Sequence, residues 1–425
     1  MDHKSAWEFA IEAFKGDGGF EDGGYIDRYP RESDEKYKAR QKVAYYTNLF
    51  APNVTRYIGY IFKNKPVRDS KDDLIRKIFD DCDNMGNSAN VFMSSFAKEA
   101  KVRGVGLVLV DMPKELPATK KEQLEQRALP YFVSIPPENV TEYKLDRYGR
   151  LEYVRFTDQI DESQPGEPNI VTVERFYDTQ KWEVYVEGEL KERGEHGLGV
   201  CPVLIFSETG KFPDIGEFTQ VAALAKRHYN LKSELDEILR GQTFSILTIQ
   251  ANSPSDFEIK LSTDNAILYG KEMTRPAFIA PEAGPANTYQ EEIDRIEHLI
   301  DKITYNFTTN QAQESGIALE IKFQGLNSSL SNFAMRLEDF EARLFDVACR
   351  YLGIKNDVTI AYTKDFSITD TQKEIGTLEA LRELGYRVPT YERIKLLQIV
   401  GNDLGGGDVE DFEKIRAEIE DGLKD

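Results

Sequence analysis

Four histidines, His3, His196, His228 and His298, are all the imidazole this chain offers for acid–base or metal chemistry. His298 has the best company: Glu297 is adjacent, and Asp294 and Asp301 stand four and three residues away, spacings that share a helix face. Such a set could hold a metal. A charged, solvated helix face has the same composition, and no other helix supplies obvious further ligands, so the solvated face is the favoured reading. Asp81, Asp83 and Gly86 open like a calcium loop, but its twelfth position is Phe92, where a bidentate glutamate is required. Glu258–Lys260 and Glu320–Lys322 are half-motifs of a metal nuclease. That site needs an upstream acid at a strand end; Asp256 is too close to Glu258, and Asp214 is far from both. There is no GxxxxGK[ST] phosphate loop, no HExxH, no GxSxG and no kinase signature. The expectation is no cofactor, no metal and no catalytic turnover.

Composition narrows the class. At 425 residues the chain has room for roughly three domains. It is 40% hydrophobic, too apolar for a disordered protein. Its 54 basic and 74 acidic residues leave a net charge of −20, against a protein that coats DNA through a basic surface. Cys82, Cys201 and Cys349 are odd in number and far apart, which excludes a disulfide framework or a Cys-rich zinc site. Glu8, Glu12 and Lys15 interrupt the first apolar stretch, unlike a secretory signal, and the longest apolar run, Gly104 to Val110, is far short of a membrane helix. A soluble protein of a reducing compartment is expected.

Residues 1–35 are rich in glycine and charge and read as a flexible or docked arm. From Glu35 to Lys63 the apolar residues Tyr37, Val43, Tyr46, Leu49, Val54, Ile58 and Ile61 predict helix, with Pro52 dividing two segments. Helices are expected over 71–80, capped by Ser70, and over 89–102. VGLVLVDM (Val105 to Met112) reads as a buried strand, Pro113 to Arg127 as a solvated excursion, and residues 130–207 as a small, mostly antiparallel β domain with turns at DRYGR and Pro165 to Pro168. The helix period returns over 216–240, stopped at Gly241. Short strands fill 242–282. Long helices follow over 287–307 and 328–352, then a strand at VTIAYT and three terminal helices, the last acidic (Val409 to Leu423). The fold class is α+β, and no repeat of 20 to 50 residues is present.

This order, with four local segments, resembles the portal proteins of tailed bacteriophages. The segments are KARQKVAYYTNLFAPNVTRYIGYIFKNKP (Lys38 to Pro66); RGVGLVLVD (Arg103 to Asp111) with the following PYFVSIPPENVTEYKLDRYGRLEYVRF; SGIALEIKFQGLNSSLSNFAMRLEDFEARLFDVACRYLG (Ser315 to Gly353); and the helical end closing in DVEDFEKIRAEIEDG. The resemblance implies an arm at 1–35, a wing at 36–207, a stem helix at 208–241, a clip at 242–285, a second stem helix at 286–307, a tunnel loop at 308–318, a long kinked helix returning to the wing at 319–365, and a helical crown at 366–425. It further implies a ring, usually a dodecamer, at one capsid vertex of the virion, made in the host bacterial cytoplasm. Double-stranded DNA would pass through it without sequence specificity during packaging and ejection. Its implied partners are terminase, head-completion or adaptor proteins, and the major capsid and scaffolding proteins, with no membrane.

By position in that resemblance, Asn310, Gln311, Gln313, Glu314 and Ser315 would line the channel. They are neutral or acidic, with no Lys or Arg among them. Each cation on phosphate adds affinity through counterion release, so this lining would be a low-friction one. An ordinary polar turn has the same composition. The rival readings are a head-tail adaptor or minor capsid protein, a metal-dependent nuclease, and a scaffold unrelated to phage. Adaptors are usually much shorter and lack two long helices around a β insert.

Overall fold

The structure is a computed structural model. It describes residues 2–114, 117, 119–243, 246–248, 250, 274–275, 277–279, 284–306, 316–366, 379–380, 383 and 389. In chain order the elements are α1 (His3–Lys15), α2 (Asp34–Val43), α3 (Phe50–Phe62), β1 (Val67–Asp69), α4 (Asp73–Asp80), α5 (Ala89–Arg103), β2 (Val105–Asp111), α6 (Lys120–Gln126), β3 (Tyr131–Ile135), β4 (Val140–Leu145) and β5 (Leu151–Asp161). Then follow β6 (Ile170–Asp178), β7 (Lys181–Val186), β8 (Glu189–Glu195), β9 (Val203–Ser207), α7 (Val221–Thr243), β10 (Ile246–Thr248), β11 (Ala277–Ile279), α8 (Gly284–Ile303), α9 (Gly316–Leu352) and β12 (Thr359–Ala361). The fold is α+β, with antiparallel pairing in the described strands. Two compact units divide the chain: residues 1–5, 54–216 and 307–425, and residues 6–53 and 217–306.

The first unit is organised by α9 and a three-stranded sheet of order β3-β2-β9. Strand β2 is central, and its apolar run is buried almost throughout, as a strand covered on both faces requires. Phe333 and Phe340 of α9 stack around Phe206 of β9 and Phe96 of α5, with ring centroids 5.1 to 5.8 Å apart. One buried position on this apolar stripe is charged. Glu341 accepts Arg68 Nε at 2.5 Å and Arg68 Nη2 at 3.1 Å, and Tyr362 donates its hydroxyl at 2.5 Å. Since β1 pairs with β12, this ion pair pins that small ribbon to the helix. A five-stranded meander, β4-β5-β6-β7-β8, packs Val154, Phe156 and Tyr177 toward the core.

Helix α5 ends at Gly104, which has φ +84° and so suits a residue without a side chain. A Cβ there would lie 2.0 Å from the Gly216 nitrogen. The two chain segments touch backbone to backbone, with Gly216 N donating to Arg103 O at 3.2 Å and Glu208 N donating to Gly104 O at 3.0 Å. Nearby, Arg103 bridges Glu99 and Glu138 at 2.8 and 2.6 Å.

Several sequence expectations shift. Pro52 does not divide two helices; it sits in the first turn of α3, where an N–H has no intrahelical partner to lose. The real break is 44–49, closed by the Asn48 side chain, which accepts from Phe50 N and Ala51 N. Asp72, not Ser70, caps α4. Pro113 to Arg127 carries a short helix, α6, opened by a Thr119–Glu122 capping box. Gly241 lies inside α7, and α9 begins at Gly316 rather than near Ser328.

Removing one partner of a buried pair strands the other charge, so Arg68→Ala and Glu341→Ala should each cost about 3–5 kcal/mol. Replacing both by Met should recover most of that loss. Urea unfolding checks both, and single variants with wild-type midpoints would contradict the assignment.

Candidate functional site: the α7–α8 hairpin

The candidate site lies in the second unit, where two long helices frame the short strands. Helix α7 has 23 residues and α8 has 20, so they extend about 35 and 30 Å at 1.5 Å per residue. Val221, Ala222, Ala225, Tyr229 and Leu231 of α7 and Ile293, Ile296 and Ile300 of α8 are buried. Tyr305, just past α8, donates its hydroxyl to Glu217 Oε1 at 3.0 Å, just before α7. His228 meets Glu297 at 2.9 Å one end-to-end step further in. Partners on α8 thus fall in number as those on α7 rise, which makes the pair antiparallel. At the far end β10 pairs with β11, and Thr248 Oγ1 donates to Ala277 O at 2.9 Å.

The segment 1–35 contributes α1, whose face Ala6, Trp7, Ala10, Ile11 and Ala13 is buried. Asn230 of α7 holds the chain that follows: its Oδ1 accepts Asp27 N at 2.7 Å, and its Nδ2 donates to Tyr25 O at 2.9 Å. Arg40 of α2 is 1% exposed. It donates to both Glu32 carboxylate oxygens, at 3.0 and 2.8 Å, and to Asp27 O at 2.6 Å, with the Tyr29 ring 4.3 Å beneath its guanidinium. The Arg40 fork holds the Glu32 carboxyl below the usual range, and burial, with Glu234 nearby, pushes Tyr29 up to about 12. Neither Arg40 nor Asn230 is recognisable from sequence. Arg40 sits in a charged run that reads as solvated surface.

Among the described residues, the candidates singled out from sequence are dispersed or occupied. His298 is exposed on α8, while its three neighbours are otherwise engaged. Glu297 accepts from His228, Asp294 from Gln290, and Asp301 from the side chains of Asn53 and Asn306. Asp81 and Asp83 accept from the backbone of Gly86, Met85 and Asn87, and Asp81 also pairs with Arg127 at 2.6 Å, so the calcium-like stretch is a turn. Glu320 and Lys322 belong to the helix α9 and not to the strand that a nuclease half-motif needs. Glu258–Lys260 falls outside the described residues. Among the described residues, no group of three or more His, Cys, Asp or Glu side chains could hold a metal. None of the described helices is long and apolar enough to cross a membrane.

The channel residues expected from sequence, Asn310, Gln311, Gln313, Glu314 and Ser315, lie outside the described residues, as do most of 242–285 and 366–425. On α8 itself, Glu291, Glu292, Asp294, Glu297 and Asp301 stand against only Arg295 and Lys302, and Arg295 is tied to Glu292 at 2.8 Å. That helix is poorly suited to grip phosphate.

His228 is 1% exposed, and among the described residues its Nδ1 has no hydrogen-bond partner while Nε2 meets Glu297. Burial pushes the imidazole pKa down, only partly offset by the Glu297 carboxylate, with Lys232 acting in the same sense as burial. The folded state therefore resists the proton that the unfolded state takes up below about pH 6.5, and stability is lost as pH falls through that window. In denaturant titrations from pH 7 to 5, His228→Gln should remove part of the acid slope, by at most about 1.4 kcal/mol per pH unit. Identical slopes for the two proteins would contradict a neutral buried His228.

No protein-family model matches the sequence, and no curated protein does. Among solved structures the chain is similar to a protein in the neck of an empty GTA particle, at 9% identity and TM-score 0.47 over 82% of this chain and 89% of that one. It is similar to a chain from the virion of a native gene transfer agent particle, at 10% identity and TM-score 0.42 over 91% and 98%. It is also similar to an HK97-family phage portal protein from Corynebacterium diphtheriae, at 9% identity and TM-score 0.35 over 74% and 91%.

Proposed function

We propose that this chain is the subunit of a portal-type ring, set at one vertex of a virion, through which double-stranded DNA is packaged and later leaves. The observation that carries the reading is the order of elements: an antiparallel pair of long helices, a small β element between them, and then the longest helix of the fold. That is the order of stem, clip, stem and long helix that the sequence resemblance implies. In this reading α7 and α8 are the stem, 242–285 is the clip that docks terminase and later head-completion proteins, and 308–318 is the tunnel loop. The wing comprises 36–207, and the crown, 366–425, faces the packaged genome. The protein turns over no substrate; the motor is a separate partner.

The chemistry of a channel supports the reading. A polyanion moving through a ring is retarded by every cation that condenses on its phosphates. The acidic composition, the acid-rich α8 and the segment 310–315, neutral apart from the acid Glu314, all keep that cost low. Twelve copies at −20 each would carry about −240, so moderate salt should favour assembly by screening repulsion between subunits.

The test adds cations to the proposed DNA path. Gln311→Arg with Gln313→Arg places two cations per subunit on the proposed DNA path. Each phosphate contact formed contributes a slope of about −0.9 in log affinity against log salt. Packaging should slow or stall at low salt and recover as salt rises, with assembly intact. The control carries Glu187→Arg and Glu195→Arg, exposed positions at the β8 edge, and should package normally. Wild-type packaging by the loop variant at low salt would remove 310–315 from the channel.

A further inference from the structure

Met85 is 81% exposed, the most exposed large apolar side chain among the described residues. An exposed apolar side chain alone needs no explanation, but this one is held out by a built turn. Met85 stands between Asn84 and Gly86, which have φ +59° and +91°. Asp83 accepts from Met85 N at 2.9 Å and from Asn87 N at 3.2 Å, and Asp81 accepts from Gly86 N at 2.9 Å. Asp81 also pairs with Arg127, so both carboxylates are spent on holding the turn. Cys82 N donates to Asn87 O at 2.9 Å and closes it. Phe132 N donates to Cys82 O at 2.6 Å and fixes the turn to β3, an outer strand of the three-stranded sheet. Val91, in the first turn of α5, is 49% exposed as well.

At the other outer strand, β9, a cleft of about 1240 Å³ lies between α9 and the β4–β5 turn. Its floor is apolar: Leu145, Ile205 and Phe212 are only partly buried there. Its charges nearly cancel. Arg336, Asp339, Arg343, Asp346 and Arg350 alternate along α9, and Asp146 and Glu152 stand among Arg150 and Lys211. Such a cleft selects its occupant by apolar surface, not by charge. Arg336 and Arg343 donate to Ser207 O and Ile205 O at 3.3 and 3.2 Å, taking backbone acceptors of β9 that an added strand would need. A turn that carries a protruding apolar side chain fits where a strand does not.

We infer that the cleft of one copy receives the Met85 turn of a second copy of this chain. The turn and the cleft lie on opposite edges of one sheet, so no copy fills its own cleft. The two surfaces match in kind. The cleft is apolar below and close to neutral above, and the turn offers an unbranched thioether that adapts to an irregular floor, with the carboxylates of Asp81 and Asp83 already engaged. The contact is heterologous: each copy gives a turn at β3 and takes one at β9, a pattern that closes into a ring or runs on as a filament. It rests on the ring reading for closure alone, since two copies in an open pair make the same contact.

The test mixes full-length Met85→Cys with full-length Lys211→Cys, adds a short bis-maleimide, and identifies the joined residues by peptide mass spectrometry. Lys211 is an exposed residue of the cleft wall, and the native Cys82, Cys201 and Cys349 are buried. The mixture should give a link between positions 85 and 211 of different chains, at least about fivefold above the yield of either variant alone, because docking raises the local concentration of the two thiols. Met85→Glu should raise the protein concentration needed for half assembly at least about tenfold, whereas Met85→Leu should leave it near wild type. Urea midpoints of both variants should match the wild type, since the side chain is exposed. Assemblies that form without the 85–211 link, or that Met85→Glu leaves unchanged, overturn this contact and leave the ring reading standing. A chain that stays monomeric at every concentration overturns both.

Discussion

A helix of 37 residues cannot be held by propensity alone; it needs a partner surface along its length, and in this protein the ion pair of Glu341 with Arg68 fixes which surface that is. A carboxylate with no exposed area, set in an otherwise apolar stripe, tolerates one position only, the one in which it meets its guanidinium. That choice sets the rotation of α9. Phe333 and Phe340 then face Phe96 and Phe206, the three-stranded sheet lies under the helix, and Arg336 and Arg343 come round to the sheet edge. The helix pair of the second unit depends on a comparable device. Asn230 and Arg40 use side-chain hydrogen bonds to hold a glycine-rich segment whose backbone polar groups would otherwise need water.

The same kind of interaction occupies many of the polar groups among the described residues. Among the described residues, Glu297 is engaged with His228, Asp301 with Asn53 and Asn306, and Asp111 with the hydroxyls of Tyr131 and Tyr177. Burial, with Asp111 adding to it, pushes the Tyr131 phenol up to about 12, and burial pushes the Cys201 thiol up to about 12 as well. Both shifts disfavour the reactive anion at neutral pH.

What could be read in the sequence follows from which forces leave a local pattern. Strands β2 to β7 and β9 were legible because alternation or a buried apolar run marks them, and α9 was legible from Leu330 onward through its apolar stripe. Strand β8 was not: ELKERGE has no alternation, and it pairs because the turn at Glu187 and Gly188, both with positive φ, feeds it back along β7. The early part of α9 contains Gly325, Asn327, Ser328 and Ser329, which read as a boundary, yet Tyr57 meets Ser329 at 2.7 Å, and Asn327 accepts from Phe366. From sequence, the N-terminal helix α1 reads as part of an arm, because its short apolar face leaves little local pattern beside the glycine- and charge-rich residues that follow. Arg40 was invisible for the same reason. The fold class could be read from periodicity, whereas the placement of Asn310 to Ser315 rested on resemblance alone.

The proposed ring around a hole wide enough for DNA would show itself in the mass and shape of the purified assembly. Native mass spectrometry with negative-stain electron microscopy, run across salt and protein concentration, should find closed rings with a central opening. For twelve copies of the 48.5 kDa chain the mass would be about 580 kDa. A protein that remains monomeric under every condition, or that forms open filaments without a channel, would rule the ring out.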